Sequence, residues 1–176
     1  MEKQTFGDRG DLLPHGVAAA GTHARGFNFK TWRTSDEKEV CAVRDRQRAI
    51  TPAAFAGEAL AHFLTDWAGV DFTKLSKPER RLHLSRAPAG DVFYAWIQLR
   101  RSAIGDEFTI GLECRSCRTE FDYDVDLASM EVNVAAEGED LSRVVPLKDG
   151  FTYRGEDVRE VTVTPLPWSF YEGLSA

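Results

Sequence analysis

Cysteine is scarce in this chain, and the three present, Cys41, Cys114 and Cys117, cannot all pair, so a disulfide-stapled secreted fold is excluded. No run approaches the roughly eighteen apolar residues of a membrane span. The opening MEKQTFGDRGDLLPHG also lacks the basic-then-apolar order of a signal peptide, so a cytosolic site of synthesis and no membrane partner are expected. Positive charge is in deficit, with 22 Lys and Arg against 28 Asp and Glu and a net charge of -6. A field of that sign repels phosphate, which weighs against nucleic acid unless a local basic patch works against it. The chain also lacks a G-x-S-x-G elbow, a phosphate-binding glycine loop and an H-E-x-x-H helix. No catalytic centre and no small-molecule substrate are nominated, and the expectation is a protein that is not an enzyme.

What is present has the composition of a folded domain. Of 176 residues, 43% are hydrophobic and 28% charged, enough for one domain with an extension. Residues 1–26 hold no sustained period of 2 or 3.6, which predicts an extended N-terminal arm, ordered by a partner through anchors such as Leu12 and Leu13. Residues 27–176 are expected to form a single α+β domain, its helical N-terminal half packed with a small antiparallel sheet.

Within that domain, FNFKTWR (27–33) alternates as a strand, and Thr34 and Glu37 stand at capping-box spacing for a helix to about Gln47. Thr51, Pro52 and Gly69 bracket a helix with Phe55, Ala59, Phe63 and Trp67 on one face. A polar connection through DFTKLSKPER leads to a helix ending at Gly105, with Val92, Phe93, Trp96, Leu99 and Ala103 towards a core. Beyond it the period changes to 2 on both sides of CRSC, giving a hairpin over 108–127. Shorter strands are expected at 151–154 and 158–166, and the aromatic end PWSFYEGL offers Trp168, Phe170 and Tyr171 as contacts for a partner.

The C-x-x-C turn admits three readings. Between two strands it has the form of half a zinc ribbon, with Cys114 and Cys117 as metal ligands and backbone amides turned towards the sulfurs. Zinc wants four ligands, however, and no second C-x-x-C exists. Cys41, His62, His83 or another chain would have to supply the rest. A thiol redox pair would stand at a helix mouth, whereas the residues after Cys117 read as a strand. The plain reading is a tight turn containing sulfur. The cofactor is therefore none or zinc. The acidic stripe Glu120, Asp122, Asp124 and Asp126 fails as an EF-hand, which would need glycine at Leu127 and an acid at Asn133, and it reads as a wet face.

The stretch RRSAIGDEFTIGLECRSCRTEFDYDVDLASMEV resembles the baseplate hub assembly protein family of contractile-tailed bacteriophages and of tail-derived injection machines. Gly105, Asp106, Glu107, Cys114, Cys117, Asp126, Leu127, Met130, Glu131 and Val132 carry the likeness, which spans 27–134 with an echo at 158–171. Members often carry proline after the first cysteine and glycine after the second, where Arg115 and Arg118 stand here. The resemblance implies a structural or assembly component of a tail or injection-system baseplate. It would contact other baseplate, hub or tail proteins and reside in the virion tail or injection particle. The rival readings are a zinc-ribbon-like binding module, for nucleic acid among other partners, and a C-x-x-C thiol redox protein.

Overall fold

The structure is a computed structural model, and it describes residues 2–19, 22–47, 49–136 and 139–174. Along the chain run β1 (Glu2–Thr5), α1 (Phe6–Arg9), β2 (Leu12–Ala19), β3 (Thr22–Phe29), α2 (Thr34–Arg46) and α3 (Pro52–Phe63). Next come β4 (Leu64–Trp67), β5 (Val70–Asp71), a 3-10 turn (Phe72–Lys74), α4 (Lys77–Arg86) and α5 (Ala89–Ile104). The remainder is β6 (Glu107–Glu113), β7 (Glu120–Asp126), β8 (Glu131–Val134), β9 (Arg143–Tyr153), β10 (Glu156–Val163) and α6 (Trp168–Glu172). The mixture is α+β, as expected from the sequence. Its strands lie in four small antiparallel sheets, ordered β2-β3-β4-β5, β1-β8, β6-β7 and β9-β10.

The N-terminal segment is extended but not a loose arm. β2 pairs with β3 and β1 pairs with β8, Glu2 lying opposite Val134. Leu13 is fully buried and Phe6 nearly so, the latter stacked on Tyr94 with ring centroids 4.7 Å apart. The side of α5 that faces this segment is polar where the backbone needs partners. The Tyr94 hydroxyl donates to the Gly10 carbonyl at 2.8 Å, Gln98 Nε2 donates to the same oxygen at 3.2 Å, and Arg101 Nη1 donates to the Phe6 carbonyl at 2.8 Å. Asp91, on α5 and without solvent exposure, accepts the backbone N–H groups of His15 and Gly16 at 2.8 and 2.9 Å. These bonds satisfy peptide groups that a bend in β2 leaves without ladder partners. Gly16 sits at that bend with φ +80°, and a Cβ there would meet the Ala24 carbonyl at 2.9 Å.

Other departures from the sequence reading have equally local causes. α3 begins as expected, with Thr51 accepting from the Ala54 N–H at 3.1 Å and Pro52 in the first turn. It stops at Phe63, six residues before Gly69, because Leu64–Trp67 turns extended and pairs with β3, Phe27 opposite Trp67. Pairing β3 on its second edge outweighs five more residues of helix, and Trp67 is buried in the strand. The capping box falls on Ser76 rather than Thr34. Glu79 Oε2 accepts from both the N–H and the hydroxyl of Ser76, at 2.7 and 2.6 Å, and starts α4 inside the expected connection. On α5 the buried stripe runs through Asp91, Val92, Tyr94, Ala95, Gln98 and Leu99, so Phe93 lies at its rim.

Deleting residues 1–26 removes β1, β2 and two core side chains, so we expect loss of the cooperative thermal transition in circular dichroism. Leu13→Ala should lower the unfolding free energy by about 3 kcal/mol in urea titration, the scale of a buried leucine replaced by a cavity. A truncated chain that still melts cooperatively would contradict the packing described here.

Candidate functional site

The β6-β7 hairpin forms in full register, Glu107 opposite Asp126 through Glu113 opposite Glu120. That register puts Phe108 against Val125, Ile110 against Tyr123 and Leu112 against Phe121, so all six apolar side chains share one face. The opposite face carries Glu107, Glu113, Glu120, Asp122, Asp124 and Asp126, six carboxylates with Thr109 and Gly111. The Thr109 hydroxyl donates to Asp124 Oδ1 at 2.7 Å. Cross-strand like charges at 107/126 and 113/120 repel, so the apolar face is what favours pairing.

Only the base of this hairpin is anchored. Leu127 is buried and its N–H donates to the Asp106 carbonyl at 3.0 Å, while Arg101 Nε donates to the Asp106 carboxylate. That hydrogen bond holds the Asp106 carboxyl below its usual range. The Arg100 guanidinium covers the Phe108 ring at 4.1 Å. Further out the strands pack chiefly on each other, leaving Leu112, Phe121 and Tyr123 exposed by 40%, 47% and 55%. A second hairpin, β9-β10, also shows apolar groups to solvent, among them Val144, Phe151, Tyr153 and Val163. The strands expected at 151–154 and 158–166 match the end of β9 and most of β10, whereas residues 143–150, where Pro146 and Gly150 interrupt the alternation, were not among them. The signal was the Val144-Val145-x-Leu147 run.

The cysteines lie at the tip between β6 and β7. The Cys114 N–H donates to the Thr119 carbonyl at 2.9 Å, and the Arg118 N–H donates to the Cys114 carbonyl at 2.8 Å. Arg118 adopts φ +60°, so the left-handed conformation that glycine would favour is reached by arginine, whose side chain pairs with Glu113 at 2.7 Å. Cys117 Sγ lies 3.3 Å from Thr119 Oγ1. That hydroxyl above all, then the Thr119 N–H and the Cys114 thiol, stabilise a thiolate and bring the Cys117 pKa down to about 7.

The residues weighed as further ligands are elsewhere. Cys41 is half-buried on α2, lining a groove of about 310 Å³ with Trp32, Phe55, Phe63 and Trp96. His62 Nε2 lies 3.0 Å from both Asp36 Oδ1 and Lys30 Nζ, and His83 packs near the Phe72 ring. The Lys30 hydrogen bond, chiefly, lowers the Asp36 pKa. Among the described residues no group of three or more His, Cys, Asp or Glu is placed to hold a metal.

The expected partner contacts divide. Leu12 and Phe170 are about half exposed and Tyr171 is half-buried. Leu13 and Trp168, by contrast, are fully buried and belong to the core. The Trp168 ring meets Phe93 edge-on at 4.8 Å, the Trp168 backbone N–H donates to the Ala87 carbonyl at 2.9 Å, and Arg81 joins Glu172 of α6 to Glu58 of α3. The aromatic C-terminus is thus docked on its own chain, with the Trp168 and Tyr171 rings edge-on to Phe93 at the rim of α5.

In metal-free protein the alkylation rate of Cys117 should rise with pH through a midpoint near its pKa of about 7. Thr119→Val removes the donating hydroxyl and should move that midpoint upward, as read by mass spectrometry of the labelled peptide.

No curated protein and no solved structure matches this chain. Residues 20–153 match the family described as T4 bacteriophage base plate protein, a span that contains 27–134, where the resemblance lay, and the whole cysteine hairpin. With most of its length covered by that match, the chain belongs to the T4 bacteriophage base plate protein family.

Proposed function

We propose that this chain is a structural or assembly component of the baseplate hub in a contractile phage tail or tail-like injection system. It works by contacts with other baseplate, hub or tail proteins and catalyses no reaction. The observation that carries this reading is the β6-β7 hairpin, whose apolar side is left exposed beyond its base at Leu112, Phe121 and Tyr123 and whose reverse side is acidic. A lone two-stranded hairpin is marginal in water. Burying Leu112, Phe121 and Tyr123 against a neighbour at about 25 cal/mol per Å² would stabilise both the hairpin and the complex.

The partner that fits the apolar face is an apolar strip or strand edge, and Lys and Arg reaching round the hairpin would meet the carboxylates of its reverse face. Both outer edges of the pair are open to strand addition. The same carboxylates oppose a phosphate backbone, which favours a protein partner over the nucleic-acid module. Leu12, Phe170 and Tyr171 are secondary contact candidates, Leu12 and Phe170 by exposure and Tyr171 at the edge of the core. The protein would be made in the bacterial cytoplasm and act in the tail or injection particle.

Tyr123→Glu puts a charge in the middle of the apolar face while leaving the core untouched. Co-purification with the baseplate proteins encoded beside it should fall by about 30-fold in affinity, equivalent to about 2 kcal/mol, the scale of one interface anchor. Unchanged binding by a variant with wild-type circular dichroism would rule out this face.

A further inference from the structure

Two thiols at the end of a projecting hairpin, in a turn already shaped to present them, are a metal half-site. We propose that Cys114 and Cys117 of two copies of this chain bind one zinc ion between them, joining the copies tip to tip. This holds whether or not the chain works in a baseplate.

The turn geometry is the first ground. Both sulfurs lie within the four residues from Cys114 to Cys117, in a turn closed by the Cys114–Thr119 and Arg118–Cys114 backbone hydrogen bonds and by the left-handed Arg118. The Thr119 hydroxyl stands 3.3 Å from Cys117 Sγ, where it can donate to a ligated thiolate and fix its direction.

The second ground is ligand count. Structural zinc is four-coordinate and tetrahedral, and among the described residues one copy places two ligands here and no third. Cys41, His62 and His83 are committed to α2, to Asp36 and Lys30, and to the Phe72 ring. A second copy supplies an identical pair on a two-fold axis, completing the set with no other residue type.

Access and charge agree. Strands of seven residues reach about 20 Å, and everything from Arg115 to Asp124 is solvent-exposed, so two tips can meet while the bodies stay apart. A zinc tetrathiolate carries two negative charges; Arg115 stands between the two cysteines of each copy, and Arg118 beside them is paired with Glu113, so the turn adds no net negative charge of its own. The Leu112–Phe121 pair, the last apolar rung before the turn, would be covered as the tips approach. On binding, four thiols lose their protons to solvent and four Zn–S bonds form, with no change of oxidation state.

The test uses the full-length protein purified reduced, with zinc added and excess removed. The expected result is one zinc per two chains by mass spectrometry of the metal, a dimer by light scattering, and four sulfurs at about 2.3 Å by X-ray absorption. A strong chelator should return the dimer to monomer, and Cys114→Ser or Cys117→Ser should give metal-free monomers with unchanged circular dichroism. Reduced protein that takes up no zinc, a monomer holding one zinc per chain, a dimer that survives zinc removal, or a Cys114–Cys117 disulfide that re-forms in preference to metal would each overturn the proposal.

Discussion

A single carboxylate with no contact with water organises this molecule. Asp91 stands in the first turn of α5 and grips the backbone of β2 at its bend, where His15 and Gly16 would otherwise turn two N–H groups towards a protein interior. The grip positions β2, β2 positions β3, and β3 recruits β4 at the expense of the last turns of α3. Leu13, Phe27, Trp67 and Val92 then meet in one core. A buried carboxylate is costly unless its oxygens are satisfied, and here both accept from backbone donors while the His15 ring lies 3.2 Å from one of them. The start of the chain is therefore a structural element of the domain.

This also explains which parts of the fold could be read from the sequence. Elements whose signals are local were visible: Thr51-Pro52 opening α3, Gly105 closing α5, and the period-2 runs on each side of CRSC. Residues 1–26 were not, because their partners are remote. Leu13 and Phe6 have no periodic neighbours, and their burial depends on α5, some eighty residues away. Ser76 and Glu79 were a local signal that the polar character of the segment masked. Trp168 looked like an exposed anchor because composition alone cannot tell an aromatic that seeks a partner from one that has found its own chain.

The candidate site was legible in a different way. Alternation in β6 and β7 gave the two faces correctly, since side-chain period in a strand is fixed by geometry. Whether the apolar face was covered could not be read, because cover comes from other elements. The arginine after Cys117 raised a question that the backbone answers: φ +60° is adopted there without glycine, at some conformational cost, with the Arg118–Glu113 pair alongside it. Membership of a base plate family implies contacts with other phage tail proteins.

The pairing of β1 with β8 has a consequence for how the chain is made. β1 has its partner far along the chain at Glu131–Val134, so every element from α1 to β7 must be synthesised before Glu2 can meet Val134. During that interval β1 is an open edge, and the hairpin that precedes β8 is complete before this seam closes, with β9, β10 and the core-docking Trp168 of α6 still to follow.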